Sequence, residues 1–205
     1  MTMSVMVEEL VKRAVEQLTS PDLDSAKLLA EEDDQIDQWD VRIEDTCLKI
    51  LALHQPVAGD LRRIATVLKI SNELERVADL GVDIAERAIG LMKGPVITIP
   101  ETLPEMMWIA VKMLNQSIDA YVRLDSDLAR DVFATDHHVD SLQSQIITQL
   151  LGVMRAQHDF VEPALHLFSA TRHIERIADH ATNIAEDVIY LVEGAIVRHQ
   201  HQVMS

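Results

Sequence analysis

An all-α fold of six helices, arranged as two tandem, sequence-related three-helix bundles, is what this sequence predicts. Three observations predict it. The 205 residues contain only six Gly and six Pro, and 3% are aromatic. That is too few turn residues for a sandwich, a barrel or a doubly wound sheet. The long Pro-free stretches carry apolar residues at spacings of three and four instead of alternating. The second half of the chain also repeats the first.

The prolines Pro21, Pro56, Pro95, Pro100, Pro104 and Pro163 punctuate helices expected at roughly 4–19, 22–54, 57–92, 103–124, 126–157 and 161–193. Ser20-Pro21-Asp22 fits a cap followed by proline at the first position of the second helix. The third helix shows its apolar face in Val67, Ile70, Leu74, Val77, Gly81, Ile84, Ala85 and Ala88. The sixth shows the same pattern in Leu167, Ala170, Ile174, Ile177, Ala181, Ile184, Ala185 and Val188. Between the halves lies Lys93-Gly-Pro-Val-Ile-Thr-Ile-Pro100. There Gly94 can end a helix, and two prolines with β-branched residues between them favour extended backbone. The division is therefore 1–93, a linker at 94–104, and 105–205. A polar tail follows Gly194.

The two units are related. At an offset of 100, ten of the 27 positions from Leu68 to Gly94 are identical to Phe168–Gly194, among them Glu75/Glu175, Asp79/Asp179 and Glu86/Glu186. At an offset of 103, Asp33 and Asp37 match Asp136 and Asp140. A common helix period explains shared apolar positions, but it does not explain acids repeated in register. The chain is a duplicated three-helix unit.

The 18 basic residues against 34 acidic ones give a net charge of −16. Such a chain repels nucleic acids and anionic lipid surfaces, which bind through phosphate neutralisation. Cys47 is the single cysteine, so no internal disulfide or thiolate metal cluster is expected. The start has no basic segment and meets acid at Glu8, unlike a signal peptide, and no apolar run approaches the ~20 residues of a membrane span. A soluble protein of a reducing compartment is expected, without nucleic-acid binding or membrane insertion.

Each half carries two acid pairs spaced by four: Asp33/Asp37 with Glu75/Asp79, and Asp136/Asp140 with Glu175/Asp179. This spacing stacks carboxylates on one helix face, where they repel by a few tenths of a kcal/mol unless a cation intervenes. Asp83 and Glu86 extend the first ladder; Asn183 and Glu186 extend the second. A solvated face with ordinary ion pairs to Arg76 and Arg87 is the alternative. Two features favour a site. No basic residue interrupts the run of acids between Lys27 and Arg42, and pairs from two helices in each half can converge if those helices pack side by side. Converging carboxylates suit hard or intermediate ions such as magnesium, calcium, manganese or iron.

His166, His173 and His180 recur at seven, away from Glu175 and Asp179 on the helix wheel, and are expected to flank the packed face. His137 and His138 neighbour Asp136; His199 and His201 lie in the tail. Trp39, Trp108 and the nine methionines read as packing residues. There is no phosphate loop, nucleophile elbow or His-Glu-x-x-His motif. No glutamate is followed three residues later by histidine, as ferritin-like di-metal oxidases require.

Asn72-Glu-Leu-Glu-Arg-Val-Ala-Asp79 and Arg172-His-Ile-Glu-Arg-Ile-Ala-Asp-His-Ala-Thr-Asn-Ile-Ala-Glu186 resemble the paired signatures of the PhoU family of phosphate-uptake regulators. Leu53-His-Gln-Pro-Val-Ala-Gly-Asp-Leu-Arg62 is similar to that family too, and the likeness runs from about residue 8 to 194. Ala78 and Ala178 stand where the family commonly has glycine. The resemblance implies two three-helix bundles with surface metal clusters held by Glu/Asp-x-x-x-Asp pairs, which here fall on the ladders. The metal set is then Asp33, Asp37, Glu75, Asp79, Asp83, Asp136, Asp140, Glu175, Asp179 and Asn183, with iron, zinc, manganese or magnesium as the ion. It also implies a non-enzymatic, often dimeric cytoplasmic regulator at the inner face of the membrane. Such a regulator lowers phosphate uptake and starvation signalling by touching the ATPase subunit of the phosphate ABC transporter and a sensor histidine kinase. A metal-dependent phosphohydrolase and an acidic helical scaffold without functional metal are the alternatives.

Overall fold

The computed structural model describes residues 2–197. Helices α1 (Thr2–Glu16), α2 (Leu23–His54) and α3 (Ala58–Leu91) form the first bundle. Helices α4 (Leu103–Arg123), α5 (Ser126–Ala156) and α6 (Val161–Glu193) form the second. The long helices α3 and α6, each about 50 Å at 1.5 Å per residue, share the most extensive contact in the molecule. The two bundles thus meet chiefly along this seam, with a smaller contact between α1 and α4, over a continuous apolar core. Every apolar residue named above for α6 is buried, and for α3 all but Val67 are. Gly81 lies where α1 crosses α3: a Cβ there would come 2.4 Å from Leu10 Cδ2, so absence of a side chain sets the approach of those helices.

The ends of the elements differ from expectation in ways the local chemistry explains. Asp22, not Ser20, caps α2, accepting the Ser25 N–H at 2.7 Å. The Gln17 side chain accepts the Asp22 N–H at 2.7 Å and donates to Ser25 Oγ, which holds residues 17–22 outside either helix. Helix α1 consequently stops at Glu16. Gly94 does not end α3. The helix closes at Leu91 with short-range bonds from Met92 and Lys93 to Ile89 and Gly90, and the glycine with left-handed φ is Gly194, capping α6. A single 3-10 turn, His158–Phe160, joins α5 to α6.

Trp39 packs against the core, but Trp108 is 63% exposed with Lys112 Nζ 5.2 Å from its ring centroid. It is therefore not a packing residue. Met3, Met106, Met107 and Met113 are buried, whereas Met92 is exposed at the end of α3. Cys47 is a buried free thiol. No helix among the described residues is long and apolar enough to cross a membrane. Most of the tail expected after Gly194, with His199 and His201, lies outside the described residues.

Candidate metal-binding site

Helix α3 returns along α2, and this brings the two acid pairs of the first repeat face to face. Asp33 is half-buried, and its carboxyl is pushed up to about 7 by burial and then by Asp79, Asp37, Glu75 and Asp34. Asp37 and Glu75 are raised as well, each by burial first and then by Asp79. Asp33 Oδ1 is buried and accepts no hydrogen bond among the described residues. Glu75 Oε2 is also buried; Arg76 Nε approaches it to 3.2 Å, but no directed hydrogen bond forms. Arg76 donates its bond instead to Asp79 Oδ2 at 3.1 Å. Arg76 thus touches two of the four carboxylates, Glu75 and Asp79, while burial and mutual repulsion raise the carboxyls of Asp33, Asp37 and Glu75.

Helices α5 and α6 repeat the arrangement. Asp179 is pushed up to about 6 by burial and by Glu175, Asp136 and Asp140, with His180 opposing. Glu175 is raised by burial, which Arg172 partly offsets. The electrostatic neighbours of these acids are the same four positions, transposed. Asp179 stands more open than Asp33.

Asp83 and Asn183 lie elsewhere. Both turn toward the α3–α6 seam, where Asn183 Nδ2 donates to Glu73 Oε2 at 3.2 Å and His173 Nδ1 is 3.7 Å from Asp83 Oδ2. Residue 73 corresponds to 173 and 83 to 183, so this is one contact made twice by the duplication. His180 Nδ1 donates to Glu73 Oε2 at 2.5 Å. His173 and His180 thus flank the packed face through acids of the other repeat. Glu73 was not among the candidate residues; its only signal was that His173 occupies its place in the second copy. His138 Nε2 lies 3.1 Å from Glu105 on α4, away from the second quartet's helix α6.

No three His, Cys, Asp or Glu side chains among the described residues are drawn close enough to hold one ion. The carboxylates face one another without closing a cage. Their chemistry nevertheless fits a cation: an all-oxygen donor set, a buried carboxylate oxygen lacking any bond among the described residues, and carboxyls raised by burial and then by mutual repulsion. The first quartet meets that description more fully than the second.

The sequence matches the PhoU domain family over residues 1–88 and 103–188, one match per repeat. The phosphate-specific transport system accessory protein PhoU homolog of Aquifex aeolicus is 40% identical over 199 residues, covering 97% of this chain and 90% of that protein. The phosphate-specific transport system accessory protein PhoU of Escherichia coli is 32% identical over 199 residues, covering 97% and 83%. Among solved structures, PhoU from Pseudomonas aeruginosa superposes with a TM-score of 0.91 at 37% identity, over 95% of this chain and 93% of that one. The phosphate transport system regulatory protein PhoU from Streptococcus pneumoniae gives 0.88 at 27% identity, over 96% and 92%.

Proposed function

This chain belongs to the PhoU family, and from that premise we propose that it regulates phosphate uptake and phosphate-starvation signalling through protein contacts. Its partners in this reading are the ATPase subunit of the phosphate ABC transporter and a sensor histidine kinase, met at the cytoplasmic face of the membrane by a homodimer. The observation that carries the proposal is the extent of the likeness. Both repeats match the family, and relatives named as accessory proteins of phosphate-specific transport align with nearly the whole chain.

The two carboxylate quartets are the proposed metal sites. Asp33, Asp37, Glu75 and Asp79 would hold iron, zinc, manganese or magnesium in the first, and Asp136, Asp140, Glu175 and Asp179 in the second. A bound cation supplies local positive charge on an acidic protein, an anchor for an anionic group of a partner. Asp83 and Asn183, engaged at the seam, sit outside these quartets. The absence of a closed three-ligand cage among the described residues favours one further reading, an acidic face that docks basic partners without metal. Its binding would weaken steeply with salt and ignore chelators.

Complementation tests the proposal. In a bacterium lacking its own PhoU-family protein, this chain should restore repression of a phosphate-starvation reporter and bind the purified ATPase subunit. Asp33→Asn/Glu75→Gln should lose both. Failure of the wild-type chain to repress the reporter or to bind either partner would end the regulatory reading. Full activity of the double variant would remove metal from it.

A further inference from the structure

Beside the first quartet the same α2–α3 groove changes sign. It opens into a cleft of about 460 Å³ between the start of α2, the end of α3 and the first turns of α6, lined by Lys27, Arg87, Lys93, His166 and one acid, Glu86. Ala30, on its rim, is one turn from Asp33 on α2. On a chain of net charge −16, this concentration of cationic side chains is unusual.

The groups converge. Gly90 brings the α3 backbone against the His166 ring, since a Cβ there would come 2.3 Å from Cε1. The His166 imidazole, which lines the same cleft as Arg87 and Lys93, is held below its ordinary range by burial and by those two cations, with Glu162 opposing. Arg87 Nη2 reaches only the exposed Glu86, at 3.2 Å, and its Nε is buried with no hydrogen-bond partner among the described residues. The cleft also has an apolar lining: Leu23, Ala26, Val82 and Ile89.

The duplication supplies a control. In α6 the place of Arg87 is taken by Asp187, buried and bonded to Lys69 Nζ at 2.7 Å. The place of Gly90 is taken by Tyr190, with Lys69 Nζ 5.5 Å from its ring centroid. There the charge is neutralised and the ring lines a smaller cavity of about 210 Å³ beside Lys69 and Asp187; in the first repeat cationic groups line a volume about twice as large.

We propose that this cleft binds the phosphoryl group of a small molecule. A guanidinium, two ammonium groups and an imidazole suit a dianionic phosphate better than a monoanionic carboxylate. The volume, within the ~300–1,000 Å³ typical of ligand pockets, with its apolar lining, accommodates a phosphate ester as well as the free ion. The site is separate from the carboxylate quartets and does not depend on metal there.

The test is isothermal titration of the full chain in buffer containing EDTA, with inorganic phosphate, AMP and adenosine. The wild type should bind AMP or phosphate but not adenosine. Arg87→Gln/Lys93→Gln should weaken that binding at least tenfold with an unchanged circular dichroism spectrum. If the double variant misfolds, Lys93→Gln alone, beyond the last residue of α3, should still weaken it about threefold. Equal affinity for phosphate and AMP identifies the free ion as the ligand, and tighter AMP an ester; either supports the site. Absence of binding to both, equal binding of adenosine, or undiminished binding by the variants overturns it.

Discussion

The two repeats share helices, core positions and acid pairs, yet they spend their charge differently. In the first, Asp33 carries a buried oxygen without a partner and a carboxyl near pH 7, and Arg76 spans Glu75 and Asp79. In the second, Asp179 is raised less, to about 6, and is more exposed, and among the described residues Arg176 pairs with neither Glu175 nor Asp179. The neighbouring clefts differ in the opposite sense: Asp187 and Lys69 neutralise the second, whereas Arg87 leaves the first cationic. The lesson is that duplication preserved the apolar pattern that builds the bundle and let polar positions diverge, so the first repeat holds the less compensated charge of both signs.

The largest test of that contrast is structural. Lys69→Met strips the ammonium from buried Asp187 and should cost about 2 kcal/mol, whereas Arg87→Met at the corresponding cleft should cost under about 0.5 kcal/mol. Urea unfolding of both variants measures the difference, and equal losses would erase the distinction between the clefts. Next, Asp33→Asn in metal-free protein at pH 8 should stabilise by on the order of 1 kcal/mol, because it removes a half-buried charge facing like charges. Asp136→Asn should change little. Thermal melts in EDTA compare the two.

The pH dependence follows from the same carboxyls. Asp33 is raised from 3.8 to about 7 and Asp179 to about 6 on folding, so the folded state holds protons that the unfolded chain has released. Their contribution to stability is fully present below about pH 4 and is lost as pH rises through 6 and 7. Metal-free protein should therefore lose melting temperature across that range, and Asp33→Asn should remove the upper part of the fall. A melting temperature rising from pH 5 to 8 in the wild type would contradict the assignment. The smallest expected effect is at Arg76. Arg76→Gln should raise cation affinity at the first quartet about threefold, by removing a competitor that is worth little on an exposed surface; calorimetric titration with manganese reads it.

The helices were legible in the sequence because their apolar period and the duplication report the same burial. Ile84 and Ile184, or Ala85 and Ala185, could be placed in the core from spacing alone, and the structure buries all four. Caps were less legible. Whether Ser20 or Asp22 begins α2 depends on a hydrogen bond that Gln17 accepts from the Asp22 N–H across the turn, which no periodicity encodes. Within the candidate site, spacing of four identified the pairs that face each other, because the neighbouring helix was bound to bring its own pair alongside. Asp83 and Asn183 continued those ladders on the wheel, yet the seam with the other repeat claims them, through His173 and Glu73. That contact joins residues about a hundred positions apart and depends on how two bundles dock. The basic cleft had no signature in spacing: Lys27, Arg87, Lys93 and His166 come from three helix ends, and the copies differ there at Arg87 against Asp187 and Gly90 against Tyr190.

The central claim is that facing carboxylate pairs hold metal. Untagged wild-type protein and Glu75→Ala/Asp79→Ala, dialysed against manganese and analysed by elemental mass spectrometry, test it most directly. The account predicts at least one ion per wild-type chain and a clear loss in the variant. Wild-type protein that stays metal-free, or a variant that retains its full content, would contradict it and leave the acids as a solvated face.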